Sequence, residues 1–183
     1  MRRIINSTYI SLDGVVEEPH LWPAIERPSD ERAGRIQTDL LLACDAVLMG
    51  RRTYEGFAPA WQARSGDAYS DRINTMPKYV VSTTLTDPEW ANTTVIGEDV
   101  PERIASLKAE PGQDIVQYGF GSVSTLLMEH GLLDELRLWI HPLFVGKGTA
   151  DDLLFGKAPE THFQLADSAI LKSGMVILTY TLA

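Results

Sequence analysis

The stretch Asp114–Gly148 constrains the fold of this chain more than any other part of the sequence. Asp114–Tyr118 is predicted to be a short buried strand, and it leads directly into a turn that begins and ends with glycine. A helix is predicted from Ser122, because apolar residues then recur at helical spacing, and a second strand is predicted over Glu135–Val145. A strand, a helix and a second strand in this order are typical of a βαβ unit in a parallel sheet.

The turn Gly119–Gly121 allows two interpretations. A strand, a glycine turn and a helix start together direct several free backbone N–H groups at one point, which is a natural seat for a phosphate. Alternatively, the glycines only close a tight connection between strand and helix. This stretch alone does not separate the two.

The remainder of the chain alternates predicted strands and helices and ends in a predicted hairpin. Strands are predicted at Arg3–Leu12, Ala46–Met49, Lys78–Ser82 and Thr93–Ile96, and a closing antiparallel hairpin at Phe163–Leu171 and Met175–Leu182. Helices are predicted after a cap at Ser29, with a buried stripe of Ala33, Ile36, Leu40 and Cys44, around Tyr69–Asn74 and from Asp99, with a short turn or helix at Asp151–Phe155. Between Ala58 and Pro77 the sequence is polar. The pattern predicts one α/β domain over residues 1–183, with a partly parallel sheet and an antiparallel edge.

Composition excludes several classes of protein. The net charge of −9 argues against a nucleic-acid partner or an anionic membrane surface, since both require a broad basic surface. No apolar run reaches the roughly 18 residues of a membrane helix. A single cysteine, Cys44, excludes an internal disulfide and suits a reducing compartment, so a cytoplasmic protein is expected. The cysteine and the four histidines lack metal-ligand spacing, and no metal site is predicted.

Three predicted strand ends share the same chemistry, since each offers glycines, hydroxyls or guanidinium groups. They are Gly50–Thr53, Ser82–Thr84 and Gly119–Ser122. Ligands of open α/β sheets bind beyond the carboxyl ends of the strands. Arg51 and Arg52 could hold a terminal phosphate through charge-assisted hydrogen bonds, and Thr53 would add a hydroxyl. Exposed arginine pairs at helix starts are common, but the three loops together predict a dinucleotide site.

Motifs spread over nearly the whole chain carry a family resemblance. They are Ser11–Gly14, Leu48–Glu55, Lys78–Ser82, Gly119–Ser122, Leu133–Leu138, His141-Pro142, Gly146–Gly148 and the hairpin turn at Ser173-Gly174. In this order they resemble the dihydrofolate reductase superfamily, most closely the C-terminal reductase domain of the bifunctional riboflavin-biosynthesis deaminase–reductase, which many stand-alone bacterial proteins share. The resemblance implies a three-layer α/β/α fold with a central mixed, largely parallel sheet and a C-terminal antiparallel hairpin. It also implies NADPH as the cofactor and a homodimer.

The resemblance assigns cofactor-binding residues by position. The adenosine 2′-phosphate would lie at Arg51, Arg52, Ser82 and Thr83, the pyrophosphate at Thr53 beside Gly50, and the glycine loop would comprise Gly119, Phe120, Gly121, Ser122 and Val123. The turn beside the nicotinamide would comprise Asp13, Gly14 and Val15.

The chain departs from the folate-reducing members of this superfamily. Those members carry a carboxylate on the first long helix, whereas the equivalent neighbourhood here, around Gly34, has no acid in that place. Phe120 stands where they have a glycine. No basic cluster awaits a ribityl phosphate either, which leaves open whether the riboflavin intermediate is the substrate. The expected substrate is a small heterocycle of pterin, flavin-precursor or other type.

Few residues are candidates for the chemistry itself, because the cofactor would carry the hydride. Asp13 is the leading catalytic candidate, and a simple Asp-Gly turn is the alternative. Trp22 could stack on a planar substrate or only anchor its loop. His141 is expected to be a hydrogen-bonded core residue and Cys44 a buried small hydrophobe. Glu135 has two open interpretations, a site residue or a salt-bridge partner.

These features are compared with three possible functions of the protein. The favoured one is an NADPH-dependent reductase of a small, heterocyclic substrate. The second is a non-catalytic protein that binds NADPH or a pterin-type ligand. The third, a structural homodimer subunit, does not explain why Arg51, Arg52 and Thr53 occur together.

Overall fold

The structure, a computed structural model, describes residues 1–22, 30–146, 148–154 and 159–182. The strands in this part of the chain are β1 (Ile4–Ser11), β2 (Cys44–Gly50), β3 (Lys78–Val81), β4 (Thr93–Ile96), β5 (Asp114–Tyr118), β6 (Glu135–His141), β7 (Phe163–Ile170) and β8 (Val176–Leu182). The helices are α1 (Glu31–Leu42), α2 (Arg51–Trp61), α3 (Ala68–Thr75), α4 (Val100–Ala109) and α5 (Ser122–Glu129). Short 3₁₀ turns span Pro19–Leu21 and Ala150–Asp152.

All these strands form one mixed sheet in the order β4-β3-β2-β5-β1-β6-β8-β7. The first six strands in this order, β4, β3, β2, β5, β1 and β6, pair in parallel and are joined by crossover connections. Strand β8 pairs antiparallel with β6, and β7 pairs antiparallel with β8 around the turn at Gly174, where φ is +80°. The predicted fold class, largely parallel with a C-terminal antiparallel hairpin, is confirmed.

The sheet is covered on both faces, and β2 shows why. Val47 and Met49 pack against α1, α2 and α3, while the alternate residues Ala46 and Leu48 pack on the opposite side with α4 and α5. Successive side chains of a strand point to opposite faces of the sheet. The apolar run Ala46–Met49 therefore requires packing partners on both faces of the sheet. A smaller cluster around Trp139 fills the space between α1 and the antiparallel end of the sheet.

Three predicted elements differ from the structure. Helix α2 extends to Trp61, into the segment from Ala58 that the sequence describes only as polar, because Tyr54 and Ala58 bury one face of it. Strand β6 ends at His141, several residues early, since Pro142 has no N–H to continue the ladder. Cys44 begins β2 instead of completing the stripe of α1, although it is buried as expected.

The start of α1 is capped by Asp30, whose side chain accepts a hydrogen bond from the N–H of Arg32 at 3.1 Å. The predicted cap at Ser29 lies outside the described residues. The same holds for Phe155, the last residue of the turn predicted at Asp151–Phe155, of which the structure gives the 3₁₀ turn Ala150–Asp152.

The connections reverse direction between β2 and β5, which are neighbours in the sheet. From β2 the chain passes through α2 on one face toward β3, and from β5 it passes through α5 on the other face toward β6. A crevice therefore opens at the carboxyl ends of these two strands, where ligands of open α/β sheets bind.

Candidate active site

A cavity of about 530 Å³ occupies this crevice. Its described lining comes from the strand ends and from one wall beyond them: Glu17, Gly50, Arg51, Arg52, Thr53, Val81, Ser82, Thr83, Thr84, Gln117, Tyr118, Gly119, Phe120, Gly121, Ser122, Val123, Thr125, Ala150, Asp151, Leu153 and Leu154. The three loops singled out from the sequence thus come together around one space.

Two helices begin at this cavity without side-chain caps. The N-cap residues of α2 and α5 are Gly50 and Gly121, and neither start is capped by a side chain. By contrast, the starts of α1 and α3 are capped by Asp30 and Asp67. The first N–H groups of α2 and α5 are left for another acceptor, and the partial positive charge of a helix N-terminus favours an anion there.

Positive side chains lie beside the start of α2. Arg51 and Arg52 are both exposed, and Arg51 forms an ion pair with Glu55 one turn later at 3.2 Å. A guanidinium group at such a place can bind a phosphate through two hydrogen bonds. Together with the two helix N-termini, Arg51 and Arg52 make this side of the cavity suited to a ligand with several phosphates.

The loop after β3 joins this cavity to a second one of about 560 Å³. Ser82 and Thr83 line both, and Asp99 and Arg103 lie on the far side of the second. The hydroxyl of Ser82 accepts hydrogen bonds from the N–H groups of the two residues that follow Thr83 in its own loop. The two adjoining cavities could accept an elongated ligand.

Gly119 has a conformation and a contact that exclude a side chain. Its φ is +79°, in the left-handed region, and a β-carbon built on it would collide with the hydroxyl oxygen of Thr53. At Gly50 a β-carbon would meet Val123 at 3.4 Å. The glycines therefore allow the start of α2 to pack directly against the loop after β5.

A buried polar network beneath the cavity holds the carbonyl group of Gly119. The amide of Asn6 donates to this oxygen at 2.9 Å and the amide of Gln117 donates to it at 2.7 Å. Asn6 also donates to Gln117, and the hydroxyl of Ser124 donates to Gln117 at 3.1 Å. Both amide side chains are almost completely buried. They fix the peptide that precedes the helix start, and sequence reasoning missed them.

Gly14 and Val15, predicted to contact the cofactor, lie behind the wall of the cavity. Val15 forms an antiparallel bridge with Leu153, and the carbonyl of Gly14 accepts a hydrogen bond from the N–H of Leu154 at 2.9 Å. Gly14 and Val15 are buried, and their bonded partners Leu154 and Leu153 line the cavity. In this structure they support the wall.

Asp13, the predicted catalytic residue, has the geometry of a structural turn. Its carboxylate accepts hydrogen bonds from the hydroxyl of Ser11 at 2.5 Å and from the N–H groups of Val145 and Gly146 at 3.1 and 2.9 Å. These bonds, led by the one from Ser11, lower the pKa of Asp13 to about 2. It is therefore ionised at neutral pH and unsuited to donating a proton, and it is absent from the described lining.

The other candidates have structural surroundings. Trp22 donates from its indole N–H to the carbonyl of Glu17 at 2.9 Å and packs edge-on against His141, so it anchors its loop. His141 lies against Tyr9. Burial raises the pKa of Cys44 to about 12, which makes it a poor nucleophile. Glu135 accepts a hydrogen bond from Arg137 at 2.5 Å, in agreement with the salt-bridge interpretation.

Glu17 lines the cavity and was not predicted. It is half-buried, and its carboxylate oxygen lies 4.0 Å from the position of a β-carbon on Gly121. Burial raises its pKa, while the charge of Arg52 acts in the opposite direction. The only signal in the sequence is an acid placed directly after the apolar pair Val15-Val16.

The described residues offer neither a metal site nor a membrane-spanning helix. No group of three or more histidine, cysteine or acidic side chains within the described ranges could hold a metal ion. Across the same residues, every helix is too short or too polar to cross a membrane.

Comparisons with known proteins agree with this architecture. A family model described as the RibD C-terminal domain matches residues 2–177. The uncharacterized protein YyaP of Bacillus subtilis (strain 168) is 29% identical over 188 residues, which cover 98% of this chain and 94% of YyaP.

Solved structures of similar fold have lower sequence identity. A Shewanella sp. PV-4 protein assigned provisionally to riboflavin biosynthesis superposes with a TM-score of 0.70 at 20% identity, covering 100% of this chain and 99% of that one. A pyrimidine reductase-like protein of Corynebacterium diphtheriae gives 0.65 at 15% identity, with coverage of 100% and 92%. The Thermotoga maritima diaminohydroxyphosphoribosylaminopyrimidine deaminase/5-amino-6-(5-phosphoribosylamino)uracil reductase gives 0.67 at 14%, and the match covers 100% of this chain but 57% of that longer one.

Proposed function

We propose, since this chain belongs to the RibD C-terminal domain family, that it is an NADPH-dependent reductase of a small pyrimidine-type heterocycle. One observation carries the proposal. Two helix N-termini without side-chain caps, on adjacent strands, open onto one cavity together with Arg51 and Arg52. This arrangement supports binding of a ligand that carries several phosphates, as a dinucleotide does.

The residues present fit such a cofactor. The starts of α2 and α5 would hold the pyrophosphate, where a side chain at Gly119 has no room. Arg51 and Arg52, with Ser82 and Thr83, would hold the 2′-phosphate that distinguishes NADPH from NADH. When bound, the reduced nicotinamide supplies the hydride. The protein's own contribution is to bind, to orient and to exclude water from the reacting atoms.

The substrate would occupy the part of the cavity that borders the 3₁₀ turn Ala150–Asp152. There the described lining is Phe120, Glu17 and the wall Ala150–Leu154 that is supported by Gly14 and Val15. The choice of a pyrimidine-type compound follows from the names of the similar solved proteins and is part of the proposal.

A screen of turnover tests this function. Purified protein is mixed with NADPH and, one at a time, with pyrimidines that carry ribosylamino or ribitylamino groups, each with and without a phosphate, and with dihydropterins. The expected result is loss of the reduced-nicotinamide absorbance with at least one compound, faster with NADPH than with NADH. Binding of NADPH without turnover of any compound would contradict the enzymatic proposal and favour a non-catalytic binding protein.

A further inference from the structure

Glu17 is an acid at the cavity that the structure does not otherwise use. Within the described part of the chain, its side chain makes no hydrogen bond and no salt bridge, although its backbone carbonyl is held by Trp22. Its carboxylate points toward the N-cap residue of α5, Gly121. An acid that is half-buried in a ligand cavity without a fixed partner has a free proton-carrying group to offer.

The position of Glu17 is set by the sheet extension behind it. The N–H of Val16 donates to the carbonyl of Asp152 at 2.8 Å, and Val15 bridges Leu153. These two contacts hold the backbone of Val15 and Val16 against the wall of the cavity. The next residue, Glu17, therefore has its side chain at the cavity. Trp22 closes the segment from the other side.

The other titratable groups that line the cavity are less suited to donate a proton. Arg51 and Arg52 carry guanidinium groups, which serve to bind anions such as phosphate. The hydroxyl of Tyr118 is buried, bonds to the hydroxyl of Tyr69 at 2.9 Å and has a pKa raised well above its ordinary value by that burial. Asp151 is exposed, whereas Glu17 is half-buried.

We propose that the carboxyl group of Glu17 is the acid that protonates the substrate when it is reduced. The carbon atom of the substrate C=N or C=O bond gains the hydride from the reduced nicotinamide. The nitrogen or oxygen atom of that bond then takes the proton of Glu17, the π bond is lost, and Glu17 becomes a carboxylate. A proton from water restores the acid before the next turnover, so atoms and electrons balance.

The electrostatic surroundings of Glu17 permit this role. Its partial burial disfavours the charged form, and the negative charges of Asp152 and Glu18 act in the same direction, against the positive charge of Arg52. A phosphate-bearing ligand in the cavity would add negative charge and favour the protonated form further. Glu17 would therefore take up a proton as the ligand binds.

This inference rests on the proposed function, and Glu17→Gln tests it separately. The control is Glu18→Gln, the same change at the neighbouring residue, which is exposed and does not line the cavity. The first measurement is the affinity for NADP⁺ by calorimetry at a series of values from about pH 5.5 to about pH 8, because burial raises the pKa of Glu17 above its ordinary value. The oxidised form is used because it is stable in acid.

At the alkaline end, Glu17→Gln is expected to bind NADP⁺ several-fold more tightly than the unmodified protein and Glu18→Gln, because a carboxylate that faces the ligand has been removed. The difference should shrink as the pH falls, because the Glu17 carboxylate of the unmodified protein and of Glu18→Gln takes up a proton. The second measurement is kcat for the compound that is reduced fastest in the screen. Loss of a general acid should lower kcat by about 100-fold or more.

The outcomes separate the two proposals. If the unmodified protein does not bind NADP⁺ at any pH, the proposed function fails and this inference fails with it. Two other results overturn only the role of Glu17. In the first, the unmodified protein binds NADP⁺, but the ratio of its affinity to that of Glu17→Gln is independent of pH. In the second, Glu17→Gln has a kcat within a few-fold of the unmodified value. The control variant measures the general charge effect, because Glu18→Gln removes one of the charges that raise the pKa of Glu17 and leaves the Glu17 carboxyl group in place. It should therefore alter both measurements far less than Glu17→Gln does.

Discussion

Gly119 and Thr53 lie in direct contact where the loop after β5 meets the start of α2, and a β-carbon on Gly119 would occupy the place of the Thr53 hydroxyl. The two residues belong to neighbouring strand ends, whose last ladder pair is Met49 and Tyr118. This contact brings two helix N-termini to one cavity. The capacity of the site to bind an anion therefore depends on the absence of a side chain at Gly119.

Gly119→Ala is expected to weaken NADPH binding strongly and to destabilise the fold. The variant suffers both the left-handed backbone conformation, at about 1–2 kcal/mol, and the collision with Thr53. Gly131→Ala is the matched control, because Gly131 also has a positive φ, +62°, but nothing lies within 4 Å of its β-carbon position. Chemical unfolding and calorimetry should show a stability loss in both and a binding loss only at Gly119.

Arg51→Ala is expected to reduce the affinity for NADPH by roughly 10- to 100-fold, since a charge-assisted hydrogen bond contributes about 1.5–3 kcal/mol. The affinity for NADH should remain nearly unchanged, because only NADPH carries a 2′-phosphate. Arg35→Ala provides the control. Arg35 forms the same type of ion pair, with Glu31 one turn away, on a helix that does not line the cavity. An unchanged cofactor preference in Arg51→Ala would remove this residue from the site.

Gln117→Leu is expected to lower both stability and NADPH affinity. The change deletes one of the two amide donors to the Gly119 carbonyl and removes the oxygen that accepts hydrogen bonds from the Asn6 amide and the Ser124 hydroxyl. Both donors keep the Gly119 carbonyl as an acceptor, and the lost buried hydrogen bonds should cost about 1–3 kcal/mol. Gln164→Leu, the same substitution at an exposed position of β7, should alter neither property. Normal cofactor affinity in a folded Gln117→Leu protein would show that this network does not shape the glycine loop.

Lys78 supplies a prediction on stability and pH. Its buried ammonium donates to the carbonyls of Ile73 and Asn74 at the end of α3, at 2.9 and 3.2 Å, and to that of Met76 at 2.8 Å. Lys78→Met leaves these oxygens unpaired and should destabilise the protein by about 2 kcal/mol or more. Lys172→Met, at an exposed turn position, is the control and should have little effect.

The same residue makes the effect depend on pH. Burial lowers the pKa of Lys78 to about 8 in the folded protein, below the value of about 10.4 in an unfolded chain. Between these values the unfolded state binds more protons, so the contribution of Lys78 to the free energy of unfolding rises with pH. Urea unfolding from pH 7 to pH 10 should show the advantage of the unmodified protein over Lys78→Met increasing. A constant difference would contradict a lowered pKa.

The helix junctions could be predicted from sequence because their signals are local. A short apolar strand followed by glycine and a helix start, as at Gly50, is complete within about ten residues, and the rule for strand ends then predicts that such loops meet. The sequence did not predict where α2 ends, since its buried face depends on Tyr54 and Ala58 packing against the sheet. Helix propensities of the individual residues do not predict this packing against the sheet.

The features that were missed depend on distant partners. Asn6 and Gln117 pair across 111 residues, and only the parallel register of β1 and β5 places them side by side. Glu17 reaches the cavity because Val15 pairs with Leu153. Asp13 was expected to act in catalysis, but backbone N–H groups over 130 residues away in sequence occupy its carboxylate. None of these partners is visible in the local sequence.

Calorimetric titration of the purified protein with NADPH and with NADH tests the central claim most directly. The account predicts that NADPH binds at one site per chain at least about tenfold more tightly than NADH, because the guanidinium groups of Arg51 and Arg52 contact a phosphate that NADH lacks. Equal affinity for the two cofactors, or no binding of either, would contradict it.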